Sequence, residues 1–172
     1  YLVEVYMNTR SYDAALKSID RIAKPSAQIL EAKQKILFQL GTQSFANADF
    51  EQALKYLNQS IAIGQYNRQT KADAYYWCGE SYYRLNRMVE AARDFNAYLQ
   101  LTTQPNNEMY ALANYNLGYI AFHRKDYTQA SNYFQKYIQL EKGENATALA
   151  DAYNRIGDCH LHVRNFEEAK QY

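Results

Sequence analysis

Apolar side chains recur along this chain with the spacing of one face of an α-helix. Phe50, Ala53 and Leu57 step by three and then four residues, and residues 127–137 follow the same pattern. Side chains at these spacings project from one side of a helix, whereas those of a half-buried strand alternate at every second residue. The pattern therefore predicts an all-α chain.

Short polar segments separate the helical stretches. Asn86-Arg87 and residues 124–126 each lie between two segments of helical periodicity. Each unit is predicted to be a helix A, a tight turn and a helix B. Gly64 and Gly143 follow the expected ends of helix B, where a left-handed C-terminal cap favours glycine. Prolines fall in the joints before the next helix A, at positions 25 and 105, where a missing N–H costs least.

Four residue ladders share one period of 38–39 residues, which indicates a tandem array. A glycine and an alanine mark each unit, and a bulky residue lies three positions before and another four positions after the alanine. The ladders are Gly41, Gly79, Gly118 and Gly157; Ala15, Ala53, Ala91, Ala130 and Ala169; Tyr12, Phe50, Met88, Tyr127 and Phe166; and Ile19, Leu57, Phe95 and Phe134.

The ladders divide the chain into two partial and three complete repeats. The predicted boundaries are 1–24 for partial repeat one, 25–65, 66–104 and 105–143 for repeats two to four, and 144–172 for partial repeat five. A glycine inside a helix costs about 1 kcal/mol relative to alanine. Glycines at one phase therefore predict points where helix A and helix B approach almost to contact, with the bulky ladder beside them.

A single unit buries too little apolar surface to offset the entropy of ordering its backbone. Stacking on neighbouring units must supply the difference, as in other repeat architectures. The expected fold is a right-handed α-solenoid with one concave and one convex face.

Two segments carry a clear family resemblance. ADAYYWCGESYYRLNRMVEAARDFNAYL, residues 72–99, and ALANYNLGYIAFHRKDYTQASNYFQKYI, residues 111–138, resemble the tetratricopeptide repeat. The units are longer than the nominal 34 residues of that family. Asn114 stands where an aromatic residue or leucine is usual, and Val3 replaces the small residue of the first copy. The long unit is similar to those of bacterial periplasmic and outer-membrane-associated members.

The resemblance implies that helix A lines a concave groove that binds a peptide or protein segment. Phe45, Tyr83, Phe122 and Leu161 would form one row along this groove. The alternative is that these aromatic residues pack against neighbouring helices. The groove residues carried over from the family are Phe38, Phe45, Tyr76, Glu80, Tyr83, Arg84, Tyr115, Tyr119, Phe122, His123 and Asp158. The positions that grip a terminal carboxylate in some family members hold no lysine here, which argues against such a clamp.

Composition excludes several other functions. The formal charge of the 172 residues is +1, so the chain lacks the basic surface that binding to a phosphate backbone requires. No apolar run approaches the length of a membrane span. His160 and His162 point to different sides of a helix, and the sequence has no zinc spacing, phosphate loop or hydrolase motif. We expect no cofactor, no metal and no enzyme activity.

The two cysteines are predicted to be unpaired. Cys78 and Cys159 lie in helix A of repeats three and five, and stacked helices would hold them too far apart for a disulfide.

Two functions remain after these exclusions. The first is a non-catalytic scaffold that binds a protein or peptide in the groove. The second is a structural spacer or self-associating segment of a larger multi-repeat or multidomain protein. The resemblance favours the bacterial periplasm or outer-membrane periphery over the cytoplasm.

Overall fold

The computed structural model describes residues 12–105, 107–141 and 143–170, with residues 166 and 168–170 described by their backbone alone. Val3 and most of partial repeat one lie outside the described residues. Within the described part all regular structure is helical, as the periodicity predicts. The α-helices are α1 (Tyr12–Asp20), α2 (Ala27–Ala46), α3 (Phe50–Ala62), α4 (Arg68–Arg84), α5 (Met88–Leu101), α6 (Glu108–His123), α7 (Tyr127–Leu140) and α8 (Ala146–Lys170), and a 3₁₀ helix spans Gly64–Tyr66.

The chain forms two compact units, one up to Thr103 and one from Gln104. In the first unit α2 packs on α3 and α4 packs on α5, with α1 against α2. In the second unit α7 packs on both α6 and α8. In the terms used above, α2, α4, α6 and α8 are helix A of repeats two to five. Helix B of repeats one to four is α1, α3, α5 and α7.

The same backbone turn joins helix A to helix B in repeats two, three and four. One residue of each turn has a positive φ, and the next residue donates its N–H to a carbonyl five positions earlier. This is the Schellman geometry, which satisfies carbonyls that the end of a helix leaves free. The residues with positive φ are Ala48, Asn86 and Lys125, and the donors are Asp49, Arg87 and Asp126.

Side-chain caps fix where each helix A begins. The side-chain oxygens of Ser26, Asn67, Asn107 and Asn145 each accept a hydrogen bond from the N–H three residues later, at 2.9–3.2 Å. Each such bond satisfies one of the donors that the first turn of a helix leaves without a partner. The ladders did not reveal these caps, although a serine or asparagine before each helical pattern was a visible signal.

The close approach of helix A and helix B is found at three of the four ladder glycines. A Cβ atom on Gly41 would lie 2.6 Å from Leu57 Cγ. Phe95 and Phe134 block Gly79 and Gly118 in the same way, at 2.8 Å and 2.9 Å. Leu57, Phe95 and Phe134 are themselves fully buried, as are the alanines at positions 15, 53, 91 and 130. The glycines therefore admit the bulky ladder of helix B into the surface of helix A.

Repeat five departs from the prediction. Helix α8 continues without a break through Arg164, where the spacing predicts a turn. Among the described residues, nothing lies within 4 Å of a Cβ atom placed on Gly157. The turn expected near Arg164 is therefore wrong for the described residues of this repeat. The close approach at Gly157 stays a prediction, because the bulky residue expected four positions after Ala169 lies beyond residue 172. The side chains of Phe166 and Ala169 lie outside the described set.

The two glycines after helix B behave differently from each other. Gly143 has φ +84°, the left-handed conformation predicted for a cap. Gly64 is not left-handed; it begins the 3₁₀ helix, and a Cβ atom there would lie 2.5 Å from the Lys71 side chain. That contact explains the absence of a side chain at Gly64 and corrects the expectation of a left-handed cap there.

Candidate protein-binding surface

In the first unit, Phe45 is the first residue of the aromatic row on helix A, and its side chain is half-buried. Its ring makes edge contacts with Phe50 at 5.2 Å and with Trp77 at 5.0 Å between centroids. The exposed guanidinium of Arg84 lies over the same ring, with Cζ 5.5 Å from the centroid. Phe45 thus joins α2 to α4 while part of its surface stays accessible.

Tyr76 was expected to line the groove, but its side chain is buried. Its side chain is 3% exposed, and its ring packs against Phe95 and Tyr98 with centroids 5.7 Å and 5.4 Å away. The hydroxyl of Tyr76 donates to Glu80 Oε1 at 3.0 Å. Tyr76 is therefore a core residue, because helix B covers the side of α4 from which it projects.

Two other residues of this unit that were predicted to line the groove keep part of their surface accessible to solvent. Phe38 and Tyr83 are half-buried. Burial, and secondarily the nearby Glu80 carboxylate, raise the pKa of Tyr83 above the usual tyrosine value. Tyr83 therefore presents a neutral hydroxyl on a partly accessible ring.

In the second unit, Phe122 has surroundings similar to those of Phe45. Its ring contacts Tyr127 at 5.4 Å, and Arg155 Cζ lies 5.9 Å from its centroid. His162 stacks on Tyr127, with ring centroids 4.2 Å apart and planes 6° from parallel. In each unit an arginine of one helix A therefore lies over a phenylalanine of the preceding helix A, the geometry of a cation–π contact.

The tyrosine hydroxyls of α6 are engaged within the protein. Tyr115 donates to Asp151 Oδ2 at 2.6 Å, and Tyr119 donates to the same oxygen. Burial, reinforced by the bond to Asp151, raises the pKa of Tyr119 to about 12, and it raises the pKa of Tyr115 as well. Arg155 extends the network, because its Nε lies 3.8 Å from Asp151 Oδ1 and its Nη1 forms an ion pair with Asp158 Oδ2 at 3.1 Å. The network ties α6 to α8.

Sequence reasoning placed Tyr115, Tyr119 and Asp158 on this surface but missed Asp151 and Arg155. The signal was present, because residues 151, 155 and 158 carry opposite charges at helical spacings of four and three residues. Their role in joining two helices was not visible without the fold. His123, another predicted groove residue, is exposed at the end of α6.

The described residues offer few groups suited to catalysis or metal binding. Cys78 and Cys159 are both free and buried, and burial raises the pKa of each thiol. No group of three or more potential metal ligands occurs among the described residues. In the same part of the chain, no helix combines the length and the apolar character needed to cross a bilayer.

Family models identify the repeat. A tetratricopeptide repeat model matches residues 38–108, and a second one matches residues 111–143 and 150–172. Together the matches cover most of the chain. The chain belongs to the tetratricopeptide repeat family. Neither matching model describes a catalytic family, and the tetratricopeptide repeat serves as a protein–protein interaction scaffold.

Solved structures share the fold of this tetratricopeptide repeat chain. A crystal structure of MamA superposes with a TM-score of 0.63 and 17% identity over 100% of this chain and 98% of MamA. A crystal structure of BtubC (BKLC) from P. vanneervenii gives a TM-score of 0.69 and 14% identity over 99% of this chain and 73% of BtubC. At these identities the likeness shows the fold alone, and it confirms the predicted α-solenoid class. A search of curated protein sequences returned no significant match.

Proposed function

We propose that this tetratricopeptide repeat chain binds a peptide or protein segment on the side chains of helix A. In the first unit the surface comprises Phe38, Phe45, Tyr83 and Arg84. In the second it comprises Phe122, His123, Asp158 and Leu161, with Tyr115 and Tyr119 as the supporting layer beneath.

One observation carries the proposal: the row that the family resemblance places along helix A keeps accessible apolar surface. Phe45, Tyr83 and Phe122 are half-buried, and Leu161 is 56% exposed. Apolar side chains with Arg84 and Asp158 beside them supply contact area together with polar groups that orient a ligand. A tyrosine ring adds contact area at a small entropy cost.

The test compares capture of partner proteins by variants of the row. Tyr83→Ala combined with Leu161→Ala should remove partners that the unaltered chain retains in a quantitative pull-down, because both changes delete accessible apolar surface. Phe122 is left intact, since its ring also packs on Tyr127. Val89→Ala is the matched control, because Val89 is 70% exposed on helix B.

The double variant should have the same helicity as the unaltered chain when both are measured by circular dichroism. Equal capture by the two proteins would show that the groove is not the binding surface. Light scattering of the chain alone tests the alternative of self-association, which predicts a mass that grows with concentration in the absence of a partner.

A further inference from the structure

A cavity of about 470 Å³ lies between the start of α6, the end of α7 and the start of α8. Its wall carries three carboxylates, those of Glu108, Glu141 and Glu144. Leu112 and Leu140 supply apolar surface beside them. We call this space the joint cavity, because the joint between repeats four and five forms part of its wall. It combines negative charge with apolar surface inside the second compact unit.

One carboxylate of the joint cavity is held in place and the other two are accessible. Glu141 Oε1 accepts the N–H groups of Glu144 and Asn145 at 3.1 Å and 3.3 Å. The hydroxyl of the fully buried Tyr137 donates to Glu141 Oε2 at 3.2 Å. Glu108 and Glu144 are exposed. No described basic side chain forms an ion pair with any of the three carboxylates.

Repeat three places a cation of its own at the equivalent position. Arg68 Nε donates to the carbonyl oxygen of Leu101, the last residue of α5, at 3.0 Å. A cation is favoured there because the C-terminus of a helix carries partial negative charge. One period later, Asn107 stands in place of Arg68 and Leu140 in place of Leu101. The side chain of Asn107 caps α6 by accepting the N–H of Tyr110, so repeat four lacks a guanidinium at this point.

The same positions gain negative charge in repeat four. Glu108 replaces the Gln69 of repeat three. Glu141 replaces Thr102. In repeat three the neutral Gln69 amide accepts the N–H of Thr103 at 2.8 Å. Repeat four has therefore exchanged an arginine for asparagine and two neutral residues for carboxylates, which leaves a cavity whose charge is complementary to a guanidinium.

We propose that the joint cavity binds an arginine side chain of a partner protein, with its guanidinium on Glu108 and Glu144. The planar guanidinium has five N–H donors, enough to serve two carboxylates and a helix-end carbonyl together. The methylene groups of the arginine would pack on Leu112 and Leu140. The cavity lies at the opposite end of α6 from Phe122, so this site is separate from the groove proposed above.

The probe is N-acetylarginine methylamide, titrated into the isotope-labelled full chain and followed by the amide shifts in NMR spectra. We expect saturable shifts at Glu144 and Asn145, which line the cavity. N-acetylcitrulline methylamide, a neutral compound of similar shape, should cause none. Glu108→Gln and Glu144→Gln should each weaken binding by about threefold or more. Glu51→Gln is the matched control, because Glu51 is an exposed carboxylate of α3 in the first unit.

Asn107→Arg supplies the residue type of repeat three, and its guanidinium should exclude the probe. Circular dichroism should show that this variant keeps its helicity. The Tyr83→Ala, Leu161→Ala chain should bind the probe as the unaltered chain does, so failure of one site is distinguishable from failure of the other.

Absence of saturable shifts, an equal response to the citrulline compound, or unchanged affinity of both glutamine variants would overturn the proposal. Lys142 is a cation of the joint sequence that lies outside the described residues. If Lys142→Gln tightened probe binding by about tenfold or more, the cavity would belong to that side chain, and the assignment to a partner protein would be overturned.

Discussion

Gly118 and Gly157 are equivalent in the sequence, yet their surroundings differ completely. A Cβ atom on Gly118 would lie 2.9 Å from the ring of Phe134, whereas the described residues leave Gly157 open. At Gly118 the missing side chain provides the space that the Phe134 ring occupies. Among the described residues nothing occupies the corresponding space at Gly157, so the effect of glycine that remains there is its entropic cost in a helix.

Leucine substitutions at these two glycines should therefore have different effects. Gly118→Leu forces α6 away from Phe134, and we expect a loss of roughly 1–3 kcal/mol or more in the free energy of unfolding. Gly157→Leu adds a better helix former on an exposed surface and should change stability by no more than about 1 kcal/mol, in the stabilising direction. Urea denaturation of both variants measures the difference. Equal losses at the two sites would contradict the packing described for Gly118.

Tyr119 gives a second prediction at the scale of one residue. Its pKa is raised to about 12, mainly by burial and then by its bond to Asp151, while a tyrosine in an unfolded chain ionises near pH 10. The folded state therefore holds this proton more tightly than the unfolded state. The resulting stability is fully present below about pH 10 and is lost as the pH rises towards 12.

The free energy of unfolding should accordingly fall over that alkaline range, and the fall should be less steep in the Tyr119→Phe variant. Chemical denaturation at several pH values, with tyrosinate absorbance recorded in parallel, measures both. Tyr153→Phe, at an exposed position, is the control and should leave the slope unchanged. An identical slope for Tyr119→Phe would show that this hydroxyl does not titrate as the structure indicates.

At the scale of the element, the turn between helix A and helix B is built the same way in three repeats without any glycine. Ala48, Asn86 and Lys125 adopt a positive φ, with values from 60° to 63°. This conformation is unfavourable for residues with a Cβ atom, and asparagine tolerates it better than alanine or lysine does. The turn persists because its hydrogen bonds and the pairing of the two helices outweigh the local strain.

Ala48→Gly should therefore stabilise the protein, by about 0.5–1 kcal/mol, because glycine adopts the left-handed conformation without a steric cost. Thermal and urea unfolding give the measurement. Ala150→Gly, in the interior of α8, is the control and should be destabilising by about 1 kcal/mol. A loss of stability for Ala48→Gly would mean that the turn is not left-handed at this residue in solution.

At the scale of the whole molecule, the interactions of the repeats are local. Phe134 packs on Tyr115, Tyr119 and Gly118, all within the second compact unit. Trp77, the sole tryptophan of the chain, contacts Phe45 and Tyr76 within the first unit. In a repeat protein, stability is approximately a sum of such local contributions and of the interfaces between neighbours.

Two probes of unfolding should therefore separate in a suitable variant. Phe134→Ala removes a fully buried ring and should cost the second unit about 3–5 kcal/mol. Circular dichroism, which records all helices, should then show an earlier transition than the fluorescence of Trp77, which reports on the first unit. Coincident transitions would show instead that the whole array unfolds as one cooperative unit.

Much of this architecture could be predicted from the sequence because its determinants lie close together in the chain. Helical periodicity, the ladders of glycine, alanine and bulky residues, and the polar turns are all short-range patterns that repeat every 38–39 residues. Each copy confirms the others, so the family and the all-α fold followed without coordinates. The contact of Gly79 with Phe95 follows from the same ladder, since one tight turn places them opposite each other.

The tertiary structure decided which equivalent positions of the repeats have the same burial and the same contacts. Tyr76 is buried while Tyr83 keeps accessible surface, and α8 runs straight where equivalent segments turn. Asp151 accepts hydrogen bonds from two tyrosine hydroxyls of α6, although it belongs to none of the repeated sequence positions. These outcomes depend on which helix covers a given face, and that is a property of the assembled neighbours. The sequence therefore determined the unit and its period, whereas packing decided which surfaces remain open to a partner.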